Sequence, residues 1–182
     1  YEPTPLRELR GVANNLGVKS IFVKDESLRF GLNAFKVLGG SYAIGSYIAQ
    51  KLEKDISELS YDAITSEDIR KKIGEVTFIS ATDGNHGRGV AWTAKQLKQK
   101  AVIYMPKGSA QERLNNIKAE GAQAYITEYN YDDAVRMADA DAQKNGWTEE
   151  EIQKERIQRH IVLEIGFHVG KKGLKQILEK VI

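Results

Sequence analysis

The stretch "EVTFISATDGNHGRGVAWTAKQLKQ", residues 75–99, decides the fold. It begins as a strand, EVTFISA, and restarts as a helix, HGRGVAWTAKQLKQ. Between the two, Gly84, Gly87 and Gly89 fall within six residues. Asp83, Asn85, His86 and Arg88 stand among those glycines. A plain turn does not need that much functional chemistry.

The same alternation continues downstream. KAVIYMP reads as a strand, GSAQERLNNIKAEG as a helix ending at Gly121, AQAYITE as a strand, and NYDDAVRMADADAQKNG as a helix closed by Asn145-Gly146. β-α units in series predict an α/β fold with a parallel sheet and right-handed crossovers. The tail, residues 148–182, differs in texture. Thr148 and Glu151 read as a capping box before a charged helix, IVLEIGFHV as a strand and GKKGLKQILEKVI as a closing helix.

Upstream of residue 75, two prolines hold an extended start, then a short helix is expected over residues 6–15 with Gly17 as its cap. Residues 20–27 read as a strand. Phe35, Leu38 and Tyr42 recur at helical spacing and predict a helix over residues 34–54. Gly39, Gly40 and Gly45 inside it cost about 1 kcal/mol each relative to alanine, so something is expected to approach that helix closely. Residues 57–74 read as helical pieces, with Glu67 and Asp68 in a first turn after Ser66. The expected division is residues 1–74, 75–147 and 148–182.

At 182 residues, with 41% hydrophobic and 29% charged residues, the composition is that of a soluble globular protein. A net charge of +2 with dispersed signs carries no nucleic-acid or membrane footprint. No cysteine is present, which excludes thiol catalysis and fits a cytoplasmic enzyme. No apolar run approaches the ~20 residues of a membrane span.

Lys36 lies near the start of its helix between Ala34-Phe35 and Val37-Leu38. Desolvation there would free its amine to attack carbonyls. From spacing alone the plainer reading is preferred: its stem lies along apolar surface with the head in water. The 83–89 corner is open to two readings as well: tight packing, or a helix N-terminus presenting N–H groups to a ligand. It is not a dinucleotide fingerprint, because its first glycines are three apart and no acid closes a following strand. His160 and His168 have no partners at metal-ligand spacing, so no metal site is expected. Ser109 with Glu112 reads as a capping box.

Taken together, NAFKVLGGSYA and TDGNHGRGVAWTAKQL resemble the fold type II family of pyridoxal-phosphate enzymes, with PTPL and MPKGSAQERLNNIKAEGA in the matching order. The aspartate of TDGNHGRGVAW looks like the diaminopropionate ammonia-lyase branch of that family. The resemblance runs over about residues 1–147. It implies that Lys36 is the Schiff-base lysine, that Asn85, Gly84 and His86 contact pyridoxal 5'-phosphate, and that Asp83 is an acid/base residue at the α-carbon. It implies a small amino-acid substrate, α,β-elimination of 2,3-diaminopropionate to pyruvate and ammonia, and allows a homodimer. Residues 1–74 would be part of the cofactor domain and 75–147 the small α/β domain, the second domain being partial. No run of glycines matches the family's phosphate loop, and Gly166, Gly170 and Gly173 are spaced too widely for it. The alternatives are a catalytically incomplete α/β domain derived from such an enzyme, or a serine/threonine dehydratase-like enzyme.

Overall fold

The structure, a computed structural model, describes residues 2–149. The helices and strand expected beyond Glu149, with His160 and His168, lie outside the described residues. The chain opens with β1 (Leu6–Glu8), α1 (Arg10–Asn15) and β2 (Phe22–Lys24). The helix expected from residue 6 starts only at Arg10, because Leu6–Glu8 pairs antiparallel with β2 and Leu9 N–H donates to the Ile21 carbonyl at 2.8 Å. Gly17, at φ +64°, ends α1 as expected; Val18 N–H returns to Ala13 and Gly17 N–H to Asn14, the pair of bonds that closes a helix end.

The strand expected over residues 20–27 is cut short at Lys24. Asp25 accepts from Ser27 N–H and starts a 3₁₀ segment, Glu26–Gly31. Within it Arg29 is only 2% exposed. Its guanidinium donates to both Glu26 carboxylate oxygens at 2.7 and 3.1 Å, and to the Glu2 carbonyl at 2.8 Å. This ties the extended first residues to the segment that leads into the next helix.

That helix is α2 (Lys36–Lys51), followed by a 3₁₀ turn (Ile56–Glu58), α3 (Tyr61–Ile64) and α4 (Glu67–Ile73). Ser66 caps α4 by accepting from Ile69 N–H at 3.3 Å. The parallel sheet then forms from β3 (Thr77–Ala81), β4 (Lys100–Met105), β5 (Gln123–Ile126) and β6 (Thr148–Glu149), joined by α5 (Asn85–Gln96), α6 (Gln111–Ala119) and α7 (Tyr131–Asn145). Gly146, at φ +65°, closes α7. Thr148 begins β6, paired with Phe78 of β3; Glu151 and the helix expected after it lie outside the described residues.

The strand order is β5-β4-β3-β6. The chain steps outward from β3 to β5, then returns past β3 to β6. With right-handed crossovers, that reversal puts α7 on the face opposite α5 and α6. The two cores show it. Phe78, Ile103, Met105 and Ala124 share one core with Val90, Ala94, Ile117 and with Ile44 and Ile48 of α2. Ile79, Ala81, Val102 and Tyr104 pack against Ala134, Ala138 and Ala142 of α7. Both faces of β4 are therefore covered, which is why it reads as an unbroken apolar run. On the α7 side, Tyr104 donates to Asp141 at 2.7 Å; burial, then that carboxylate, pushes its phenol up to about 12. No helix among the described residues is long and apolar enough to cross a membrane.

The Arg29 anchor generates a measurable expectation. Arg29→Met is expected to lose about 2 kcal/mol in urea unfolding at neutral pH, because it removes two charge-assisted hydrogen bonds from the half-buried Glu26 carboxylate and leaves it only Thr4 and Lys24. The hydrogen bonds from Arg29 hold that carboxyl below its ordinary 4.5. The native protein's advantage over the variant is therefore full above about pH 4.5 and shrinks as pH falls further.

Candidate active site

β3 is the strand at which the order reverses, and in doubly wound sheets the crevice beyond the carboxyl end of such a strand is where ligands bind. The residues there are Thr82 to Arg88. Thr82 is buried, and its Oγ1 accepts from Gly84 N–H at 3.1 Å and Gly87 N–H at 3.2 Å. Its own N–H donates to the Tyr104 carbonyl at 2.9 Å. One side chain thus fixes the turn to the sheet and caps α5 from two residues upstream of the usual position.

The glycines of this corner permit three different close approaches. A Cβ on Gly87 would lie 2.2 Å from Thr82 Cγ2 and 2.7 Å from Ile103 Cγ2, so α5 could not sit this low on the sheet. A Cβ on Gly89 would lie 2.8 Å from Val37 Cα and 3.1 Å from Val37 N. The first turn of α2 therefore rests directly on the backbone of α5. A Cβ on Gly84 would meet Arg113 Cδ at 3.2 Å.

That packing sets Lys36, the first residue of α2, beside the corner. Asn85, the first residue of α5, precedes Gly89 by one turn and shares its face. Lys36, Asp83 and Asn85 are all exposed at this edge, whereas Gly84 and His86 are buried. Phe35 beside Lys36 is 56% exposed. The Asp83 carboxylate faces solvent, with Arg113 Nη1 at 4.0 Å from Oδ2 and donating to the Asp83 carbonyl at 3.0 Å.

The segment before Lys36 is held from α5 as well. Arg88 donates through Nη1 to the Leu32 carbonyl at 3.2 Å, while Nε and Nη2 reach Glu120 at 3.1 and 3.0 Å. The Phe30 ring stacks on Trp92 with centroids 5.1 Å apart. The sequence pointed to Lys36, Asp83, Asn85 and the glycines, but not to Thr82, Arg113 or Glu120. Arg113 and Glu120 lie thirty or more residues from their partners and have no local signature. Ser109 is not the cap of α6. The helix starts at Gln111 after Ala110, since a turn with Gly108 at φ +85° is closed by Ser109 N–H to the Pro106 carbonyl. Among the described residues the buried Ser109 Oγ has no hydrogen-bond partner.

A primary amine, an amide and a carboxylate thus stand at exposed positions around this corner; an amine can attack a carbonyl and a carboxylate can take up a proton. The chain matches the pyridoxal-phosphate dependent enzyme family over residues 1–150. It is 57% identical over 147 residues to the diaminopropionate ammonia-lyase of Salmonella typhimurium, covering 81% of this chain and 36% of that protein. Identity is also 57%, over 148 residues, to the diaminopropionate ammonia-lyase of Escherichia coli. The solved structure of the Escherichia coli diaminopropionate ammonia lyase in complex with D-serine superposes with a TM-score of 0.76 at 55% identity, over 82% of this chain and 37% of that one. The chain thus spans little more than a third of the length of these relatives.

The Gly89 contact is open to test. Gly89→Ala drives a Cβ into backbone and is expected to cost about 1–3 kcal/mol in urea unfolding. Gly45→Ala meets the movable tip of Ile56 at 3.1 Å and is the control. Its helix-propensity gain of about 1 kcal/mol offsets the crowding, so it is expected to be near neutral.

Proposed function

Because the chain belongs to the pyridoxal-phosphate dependent enzyme family, we propose that it is the lysine-bearing segment and small α/β domain of an enzyme that converts 2,3-diaminopropionate to pyruvate and ammonia. The observation that carries this reading is the seat of Val37 on Gly89, which sets Lys36 beside the corner bearing Asp83 and Asn85. The identity to two diaminopropionate ammonia-lyases supports the choice of substrate. The domain boundaries proposed are residues 1–74 for the cofactor-domain part and 75–147 for the small domain. The cysteine-free sequence fits a cytoplasmic setting, and the family resemblance favours a homodimer.

In this reading Lys36 supplies the primary amine that anchors the cofactor's carbonyl. Asn85 holds a ring oxygen through its amide, and Gly84 and His86 complete the wall behind it. The bound cofactor supplies an electron sink for the pair released at the substrate's α-carbon. Asp83 removes the α-proton on its carboxylate. The β-amino group then departs as ammonia, and water replaces the α-amino group, so one water is consumed and both nitrogens leave. Thr82 and Gly87 hold the corner still while this happens, which is what positioning for proton transfer requires.

Covalent capture tests the assignment of Lys36 without turnover. With pyridoxal phosphate added and the mixture reduced by borohydride, the label is expected on Lys36 and is expected to vanish in Lys36→Ala. Labelling spread over surface lysines and unchanged in that variant overturns the reading. The role of Asp83 has a stereochemical signature. A carboxylate on one side of the α-carbon serves one enantiomer, so Asp83→Asn is expected to slow that enantiomer about 100-fold more than the other. Equal loss for both removes Asp83 from the proton-transfer step.

A further inference from the structure

Arg113 enters the corner from a different element. It sits in the first turn of α6, and its aliphatic stem crosses Gly84, where a Cβ would meet Cδ at 3.2 Å. Its Nη1 donates to the Asp83 carbonyl at 3.0 Å and stands 4.0 Å from Asp83 Oδ2. The peptide joining Asp83 to Gly84 is therefore gripped from both sides: its carbonyl by Arg113, its N–H by Thr82 Oγ1 at 3.1 Å.

The fold gains little from this contact. With side chains 58% and 68% exposed, an arginine–aspartate pair at 4.0 Å belongs to the surface class of ion pairs, worth between nothing and about 1 kcal/mol. What it does impose is direction. The main-chain hydrogen bond fixes where Asp83 leaves the backbone, and the guanidinium stands at ion-pair distance, 4.0 Å from Oδ2, without a direct hydrogen bond to the carboxylate. We propose that Arg113 is a positioning residue for Asp83, holding its carboxylate in the orientation that meets the substrate's α-proton. This rests on Asp83 being the acid/base residue of the proposed ammonia-lyase. It goes beyond that reading by placing the control of stereochemical selectivity in α6, outside the glycine corner itself.

The test separates the clamp from the chemistry. Arg113→Met keeps the stem over Gly84 and removes the guanidinium; Arg113→Lys keeps a cation without the planar fork. In amide hydrogen exchange on this chain, with no cofactor present, Arg113→Met is expected to speed exchange of the Gly84 N–H about tenfold, as loss of one charge-assisted bond implies. The amides of α6 are expected to be unchanged, which a general loosening of that helix would not allow. Unchanged Gly84 exchange overturns the clamp. In turnover, Arg113→Met is expected to lower kcat about 10- to 100-fold for the Asp83-dependent enantiomer, with KM and the other enantiomer unaffected and Arg113→Lys restoring part of the loss. An equal fall for both enantiomers overturns the positioning role. Failure of Lys36 to capture pyridoxal phosphate in the native chain would count against the ammonia-lyase reading, and the Gly84 exchange rate would still decide the clamp.

Discussion

Everything at the carboxyl edge of this sheet depends on one backbone-to-backbone contact, Val37 against Gly89. Val37 is buried, and its Cα would stand only 2.8 Å from the Cβ of any side chain on residue 89. Helix α2 could not otherwise lie against α5 at its first turn, and the lysine at its head would move with it. The rest of α2 supports the same seat. Ile44 and Ile48 enter the core shared with Val90 and Ala94, and the Tyr47 ring meets Phe78 edge-on at 5.9 Å. The helix is thus fastened along its length, and its N-terminal end is left at the rim.

The first two turns of α5 act as a hub with three neighbours. Below is the sheet, reached through Gly87 and Thr82; at the side is α2, reached through Gly89; in front is Arg113 of α6, reached through Gly84. Arg88, from the same turns, extends one hand to Glu120 at the end of α6 and another to Leu32, four residues before Lys36. The loop entering α2 carries positive φ at Phe30 and Asn33; asparagine adopts that conformation readily, but for Phe30 it is unfavourable and surrounding contacts must sustain it. The Arg88 bond, the Phe30–Trp92 stack and the Arg29–Glu26 pair are those contacts.

Much of the fold was legible because the hydrophobic period changes cleanly after residue 75, and β4 is covered on both faces. Strands β3 to β5 and helices α6 and α7 lie within the segments that periodicity assigned to them, and α5 begins one residue before its segment, at Asn85. The failures share a cause. β1 is three residues long and β6 two, and each exists only through a partner distant in sequence: Leu6 with Lys24, Thr148 with Phe78. Local pattern cannot supply that information, so Leu6–Glu8 read as helix and the strand at Thr148 went unseen. Ser109 failed for a local reason, since Gly108 made a turn that used the backbone of Ser109 and moved the helix start to Gln111. In the site, the polar residues of the corner stood out as chemistry, while Thr82 and Arg113 look ordinary until the strands are aligned.

The packing reading of the glycine corner is met at each of its glycines, and the ligand chemistry proposed for the corner is compatible with it. Each glycine has a packing reason that would hold with no ligand present. Yet that packing is what sorts the polar residues between them. Because Gly87 and Gly89 press α5 onto the sheet and α2, His86 is buried, while Asp83 and Asn85 are left outward with Lys36 alongside. A larger residue at either position would lift the helix and scatter an amine, an amide and a carboxylate that have no direct bond to one another among the contacts described. The chemistry proposed for this edge would therefore follow from close approach: small residues set how the elements sit, and the polar groups occupy the space that remains.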